Sequence, residues 1–265
     1  MRRTLTLLAA LWAVQGAFAQ APSSSAPLPA KEKFYLFLLV GQSNMAGRGK
    51  VEAQDQAPHP RVLVFNKQGE WAPAIDPLHF DKPGAGVGIG KTFGSLLAES
   101  DPSVTVGLIP CAVGGSPIDS WKPGALDKAT NTHPWDDCMK RAHVALQAGT
   151  LKAILWHQGE SDASPGKAAT YETKLHELIA RFRKDLNAPG VPFIAGQLGQ
   201  FEGSPWNDGK QAIDKIYQSL PTKVPHTAIV SSEGLKDKGD KTHFDAASYR
   251  EFGKRYFEAY KKLVP

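Results

Sequence analysis

Four short segments hold residue types that could carry out acyl transfer: Gly41-Gln-Ser-Asn-Met-Ala-Gly47, Cys111-Ala-Val-Gly-Gly-Ser-Pro117, His157-Gln-Gly-Glu-Ser-Asp162 and Asp240-Lys-Thr-His243. A serine hydroxyl is a poor nucleophile until a base removes its proton. His243 can be that base, because Asp240 lies three residues earlier. Across a tight turn the carboxylate reaches Nδ1, fixes the tautomer and stabilises the imidazolium. The developing oxyanion needs donors. The Ser43 N–H is one, the Gly114-Gly115 turn offers another, and the Gln158 amide is placed for a third. Glu160 either competes with Asp240 for the histidine or buttresses the site. His157, between Trp156 and Gln158, reads as structural.

Each segment also has an ordinary reading. Ser43 can simply cap a helix, the glycine pair can be a turn, and His243 can be a satisfied surface or core histidine. What favours chemistry is their position relative to the strands. The run Phe34–Val40 is apolar, too short for an independent helix, and stops at Gly41, where the chain can turn sharply. Further strand-like runs fall at Val104–Pro110, Ala153–Gln158, Pro192–Leu198 and Thr227–Ser231, with a minor one at Arg61–Phe65. Amphipathic stretches alternate with them at Lys91–Glu99, Trp135–Ala148, Ala168–Leu186, Gly209–Leu220 and Ala246–Leu263. Such alternation predicts a three-layer α/β/α sandwich around a mainly parallel, five-stranded sheet of flavodoxin-like order. In open sheets of this kind ligands bind beyond the carboxyl ends of the strands, where all four segments would lie.

Composition narrows the function classes. Arg2 and Arg3, an apolar stretch from Leu5 to Val14 and Ala17-Phe18-Ala19 read as a signal peptide over residues 1–19, cut after Ala19. The export expected is to the periplasm or the exterior. Residues 20–33, rich in Pro, Ser and Ala, read as a disordered leader, and 34–265 as a single domain. No stretch is long enough to predict stable membrane insertion. The formal net charge is +5, or about +3 without the two leader arginines. Its lysines and arginines are scattered and no nucleic-acid motif accompanies them, so no nucleic-acid partner is expected. Cys111 and Cys138 can pair or stay separate thiols, and neither has zinc-like spacing. Ala85-Gly-Val-Gly-Ile-Gly-Lys-Thr92 imitates a nucleotide-binding P-loop. However, the preceding Asp76–Pro83 contains two prolines and no strand, which argues against it.

Taken together the four segments resemble the signature blocks of SGNH-type hydrolases. The nearest branch is the sialate O-acetylesterase-like, carbohydrate esterase family six group, which includes acetyl xylan esterases. The resemblance spans about residues 34–262, with the blocks in family order. It implies Ser43 as nucleophile, His243 as base and Asp240 as acid, with Glu160 an alternative or supporting acid. It also implies an oxyanion hole of Ser43 N–H, Gly115 N–H and the Gln158 amide, with no cofactor or metal. The expected function is that of an exported serine esterase removing O-acetyl groups from an acetylated carbohydrate, such as xylan, a related glycan or sialate. Trp121, Trp135 and Trp206 could stack on sugars or belong to the core. Two alternatives are the same mechanism on non-carbohydrate short-chain esters and a non-catalytic carbohydrate-binding protein on this fold. The oligomeric state is not legible in the sequence.

Overall fold

A computed structural model describes residues 27–264. The strands are β1 (Phe34–Gly41), β2 (Val62–Phe65), β3 (Trp71–Pro73), β4 (Thr105–Pro110), β5 (Thr150–His157), β6 (Phe193–Gly196) and β7 (Thr227–Val230). They form one seven-stranded sheet in the order β3-β2-β4-β1-β5-β6-β7. All neighbours run parallel except β2 and β3. Without β2 and β3, the order is the flavodoxin-like 2-1-3-4-5 expected from the alternation. The helices are the single turns α1 (Ser43–Ala46) and α4 (Pro165–Ala168), with α2 (Gly90–Ser100), α3 (Pro134–Ala145), α5 (Tyr171–Asp185), α6 (Asp208–Lys223) and α7 (Ala246–Leu263).

Strand β1 is central and apolar on both faces, as a strand covered by helices on each side must be. Leu36, Leu38 and Val40 pack into the layer of α3, α5 and α6. Phe37 and Leu39 pack into the layer of α2 and α7. The two extra strands correct the five-strand expectation. Arg61–Phe65 contributes β2, and a turn stapled by Asn66 leads into β3, where Asn66 N–H donates to the Glu70 carbonyl. Three residues ending in Pro73 give no alternating pattern to read, and proline is tolerated at a sheet edge.

The leader reading also needs correction at its end. Residues 1–26 lie outside the described part of the chain, and so does the signal-peptide reading. Lys31–Lys33 form a 3₁₀ turn, and the Thr150 hydroxyl donates to the Lys31 carbonyl at 3.2 Å. The expected helix Ala168–Leu186 is divided into α4 and α5. Trp121 and Trp135 are buried and are not sugar platforms. Trp121 meets Trp156 edge-on at 5.5 Å, and Trp135 packs on Phe182 at 4.6 Å. Trp206 is half-buried and donates to the Gly199 carbonyl. Cys111 and Cys138 are buried free thiols. In the P-loop-like segment Lys91 donates to the carbonyls of Gln54 and Asp55, so its ammonium is engaged within the fold.

Asp76 lies close to that lysine, buried, with Oδ1 lacking a partner. Burial pushes its carboxyl up to about 7, with Lys91 opposing and Asp55 adding to the shift. An unfolded aspartate titrates near 3.9, roughly. Between those values the folded chain keeps a proton that the unfolded chain has lost, so stability falls as pH rises through this window. Asp76→Asn should therefore raise stability at pH 8, on the order of a few kcal/mol. At pH 4 the gain should vanish. Thermal melts at both pH values check this, and an equal shift at both would contradict it.

Candidate active site

The serine turn is built by the packing of β1 against β5. Gly41 has φ +129°, and a side chain there would place Cβ 2.1 Å from the His157 carbonyl oxygen. Only glycine fits. Gln42 N–H then donates to the same carbonyl at 2.9 Å, carrying the ladder one residue beyond the strand. Ser43 opens α1, whose four residues are all buried. Among the described residues its N–H has no acceptor, as the first turn of a helix leaves it.

His243 reaches this serine from a loop 200 residues later, with Nε2 at 2.9 Å from Ser43 Oγ. Its Nδ1 is 2.8 Å from Asp240 Oδ2. Asp240 Oδ1 accepts from the backbone N–H groups of His243 and Thr242 at 2.8 and 3.0 Å. Burial would raise the Asp240 carboxyl, but these bonds together with the imidazole hold it far below the ordinary range. An ionised Asp240 accepts a hydrogen bond from Nδ1–H, which leaves the Nε2 lone pair facing the serine hydroxyl.

Glu160 does not touch His243. Its Oε1 accepts from Asn44 Nδ2 at 2.6 Å and lies 3.7 Å from His157 Nδ1. Burial lowers the His157 imidazole, with Glu160 opposing, and His157 Nε2 meets the Gln197 carbonyl at 3.1 Å. His157 is thus a buried core residue. The second proton of Asn44 Nδ2 goes to the Thr242 carbonyl at 3.0 Å, and Asn44 Oδ1 accepts from Tyr249 at 2.6 Å. Asn44 therefore ties the serine turn to the histidine loop and to α7. The sequence reading passed over its side chain, because a buried amide clamp has no spacing signature.

The Gly114-Gly115 turn lies beside the serine turn, since Val113 N–H donates to the Gly41 carbonyl at 3.0 Å. Gly114 N–H is taken by Asp81 Oδ2 at 2.8 Å, and Asp81 in turn pairs with Arg48 at 2.6 Å. Gly115, at φ +86°, has an N–H with no acceptor among the described residues. Gln158 is placed differently from the expectation. It is fully buried, and its Nε2 faces Asp162 Oδ2 at 2.6 Å, Gln42 Oε1 at 3.1 Å and the Ser116 carbonyl at 3.2 Å. Two protons facing three acceptors leave none for an oxyanion. The buried Asp162 carboxylate claims this amide, so Gln158 braces the loops from beneath. Asp81 and Arg48, which orient the glycine turn, had no motif to mark them.

Among the described residues no group of three His, Cys, Asp or Glu side chains could hold a metal. Nor is any helix there long and apolar enough to cross a membrane.

Residues 33–262 match the family described as carbohydrate esterase, sialic acid-specific acetylesterase. A probable carbohydrate esterase of Arabidopsis thaliana is 31% identical over 262 residues, covering 90% of this chain and 94% of the relative. A solved Arabidopsis thaliana structure superposes with a TM-score of 0.76 at 29% identity, covering 88% of this chain and 99% of that one. A probable 9-O-acetyl-N-acetylneuraminic acid deacetylase of Escherichia coli is 21% identical, covering 65% of each chain. The fold is shared by a carbohydrate acetylesterase from Xanthomonas citri, with a TM-score of 0.60 at 21% identity, covering 88% of this chain and 56% of that one. With an SGNH-type fold and a family match across nearly all of the described residues, the chain belongs to the carbohydrate esterase, sialic acid-specific acetylesterase family and is a carboxylic ester hydrolase of carbohydrate O-acetyl groups.

Proposed function

We propose that the protein is an exported serine acetylesterase that works through an acetyl-enzyme. The observation that carries this reading is the line from Asp240 through His243 to Ser43 Oγ, with contacts of 2.8 and 2.9 Å. His243 takes the serine proton as Oγ attacks the acetyl carbonyl, and Asp240 stabilises the imidazolium. The N–H groups of Ser43 and Gly115 receive the oxyanion. His243 then protonates the departing sugar oxygen, and a water activated by the same imidazole releases acetate. The steps call for no cofactor or metal.

The substrate is an acetylated carbohydrate, and sialate is the first to test, given the family description and the Escherichia coli relative. Acetylated xylan or a related glycan presents the same reacting group. Short-chain non-carbohydrate esters would follow the same route. A free Ser43–His243 pair disfavours a purely carbohydrate-binding role. Export rests on the pattern of residues 1–19.

Ser43→Ala should lower kcat by roughly four orders of magnitude or more while the fold is kept. Acetate release with matched circular dichroism tests this, and a variant with most of its activity would remove Ser43 from the chemistry. Asp240→Asn should cost about as much, and Glu160→Gln far less, because Glu160 acts through Asn44. A larger loss in the glutamate variant would reverse the assignment of the acid. Asn44→Ala should cut kcat about a hundredfold with KM little changed, the signature of a displaced catalytic geometry. Full kcat in this variant would mean that the clamp does not position His243.

A further inference from the structure

A cavity of about 620 Å³ opens beside the Gly114-Gly115 turn, over strands on the other side of β1 from β7. Its walls include Val113 and Asp81, which lead into and hold the Gly114-Gly115 turn. Phe65 at the end of β2, Phe80, Lys67 and Arg141 complete the part that matters here. Serine chemistry at the end of β1 does not use this space. The cavity lies over the ends of β4 and β2, one and two positions from β1 in the sheet. Strands are spaced about 4.8 Å apart, so the displacement from Ser43 is roughly 5 to 10 Å. That is too far for an acetyl group and suits the next sugar of a glycan.

The cavity is rigid where a sugar would need it to be. Arg141 is fixed by the carbonyls of Pro110, Phe65 and Asn66. Its guanidinium covers the Phe80 ring at 4.7 Å and the Phe65 ring at 5.2 Å. Phe80, against this fixed guanidinium, is 39% exposed. An aromatic face of fixed orientation beside a polar rim suits a pyranose, which has an apolar face and a hydroxylated edge. Lys67, exposed and without an ion pair among the described residues, supplies donors at that rim. The ester oxygen must face His243, but the rest of a glycan is free to run back across the glycine turn.

We infer that this cavity is a second sugar subsite, in which Phe80 holds the unit next to the acetylated one. The preferred substrate is then an O-acetylated oligosaccharide rather than a free monosaccharide. This rests on the proposed acetylesterase reading and deepens it.

The test compares wild type, Phe80→Ala and Phe80→Tyr on two matched pairs: acetylated xylotriose with acetylated methyl xyloside, and O-acetylated sialyllactose with free O-acetylated sialic acid. Esters of p-nitrophenol with acetate and hexanoate are run alongside. For the pair that wild type hydrolyses, Phe80→Ala should raise KM about tenfold on the oligosaccharide alone, the scale of one lost stacking contact. Phe80→Tyr, which keeps the ring, should restore it. Because Phe80 is partly exposed, its loss should leave p-nitrophenyl acetate hydrolysis unchanged. Equal effects on both members of a pair, or none on either, would overturn the subsite while leaving the esterase reading intact. A rise confined to the hexanoate ester would make the cavity an acyl pocket and also overturn it. If wild type cleaves p-nitrophenyl acetate but neither pair, the carbohydrate reading fails first and the subsite with it.

Discussion

The side-chain amide of Asn44 is the contact on which the site's geometry depends. Ser43 sits at the end of the central strand, whereas the His243 loop leaves β7, three positions away across β5 and β6. At normal strand spacing the loop must come back about 14 Å over the ends of its neighbours. It is fastened at the start, where Ser232 Oγ donates to the Leu198 carbonyl at 2.6 Å. It is fastened at the end by Phe244, fully buried among Phe201, Tyr249 and Phe252. Between these anchors, the bond from Asn44 to the Thr242 carbonyl ties the loop to the residue beside the proposed nucleophile, next to the contact of His243 with Ser43 itself.

That division of labour explains why only one of the two candidate carboxylates meets His243. Both on the imidazole would repel each other and oversupply one Nδ1 proton. Instead Asp240, partly exposed, is saturated by local donors within its own turn. Glu160, more deeply placed, spends Oε1 on Asn44 and so orients the amide rather than the base. A buried carboxylate is tolerated only where donors meet it. Glu160 Oε1 has a strong one in Asn44, while Oε2 is buried without a partner among the described residues.

The layers and the order of the main strands were legible because buried parallel strands read as continuous apolar runs. Phe34–Val40 is unmistakable in this respect. Trp71–Pro73 carries no such signal, since an edge strand of three residues is defined by its partner. The same contrast holds in the site. Asp240 and His243 are three residues apart, so their pairing is a local property that spacing reveals. Gln158 was misread because its role is decided by Asp162 and Ser116, whose positions depend on the folded loops. Asn44, Asp81 and Arg48 act across 33 to 205 residues of sequence, and such contacts leave no period or motif. Trp121 and Trp135 were ambiguous for a related reason, as an aromatic near a loop becomes core or platform only through packing.

In the proposed mechanism the glycine turn meets a charge that is not there in the resting site. An unpaired N–H costs on the order of 1–3 kcal/mol where it is buried, a cost that the exposed Gly115 escapes. Here adjacent residues are treated in opposite ways. Gly114 N–H is satisfied by Asp81, and that carboxylate is itself neutralised by Arg48 in a nearly buried pair. Gly115, at positive φ, has an N–H without an acceptor among the described residues, as has Ser43. Fixing one amide so tightly prevents the turn from rotating to satisfy the other. In the proposed mechanism these two donors meet the negative charge that develops on the acetyl oxygen, which lowers the transition state more than the bound ester. Breaking the Arg48–Asp81 pair would free the turn to relax, and the loss would fall on the rate rather than on substrate binding.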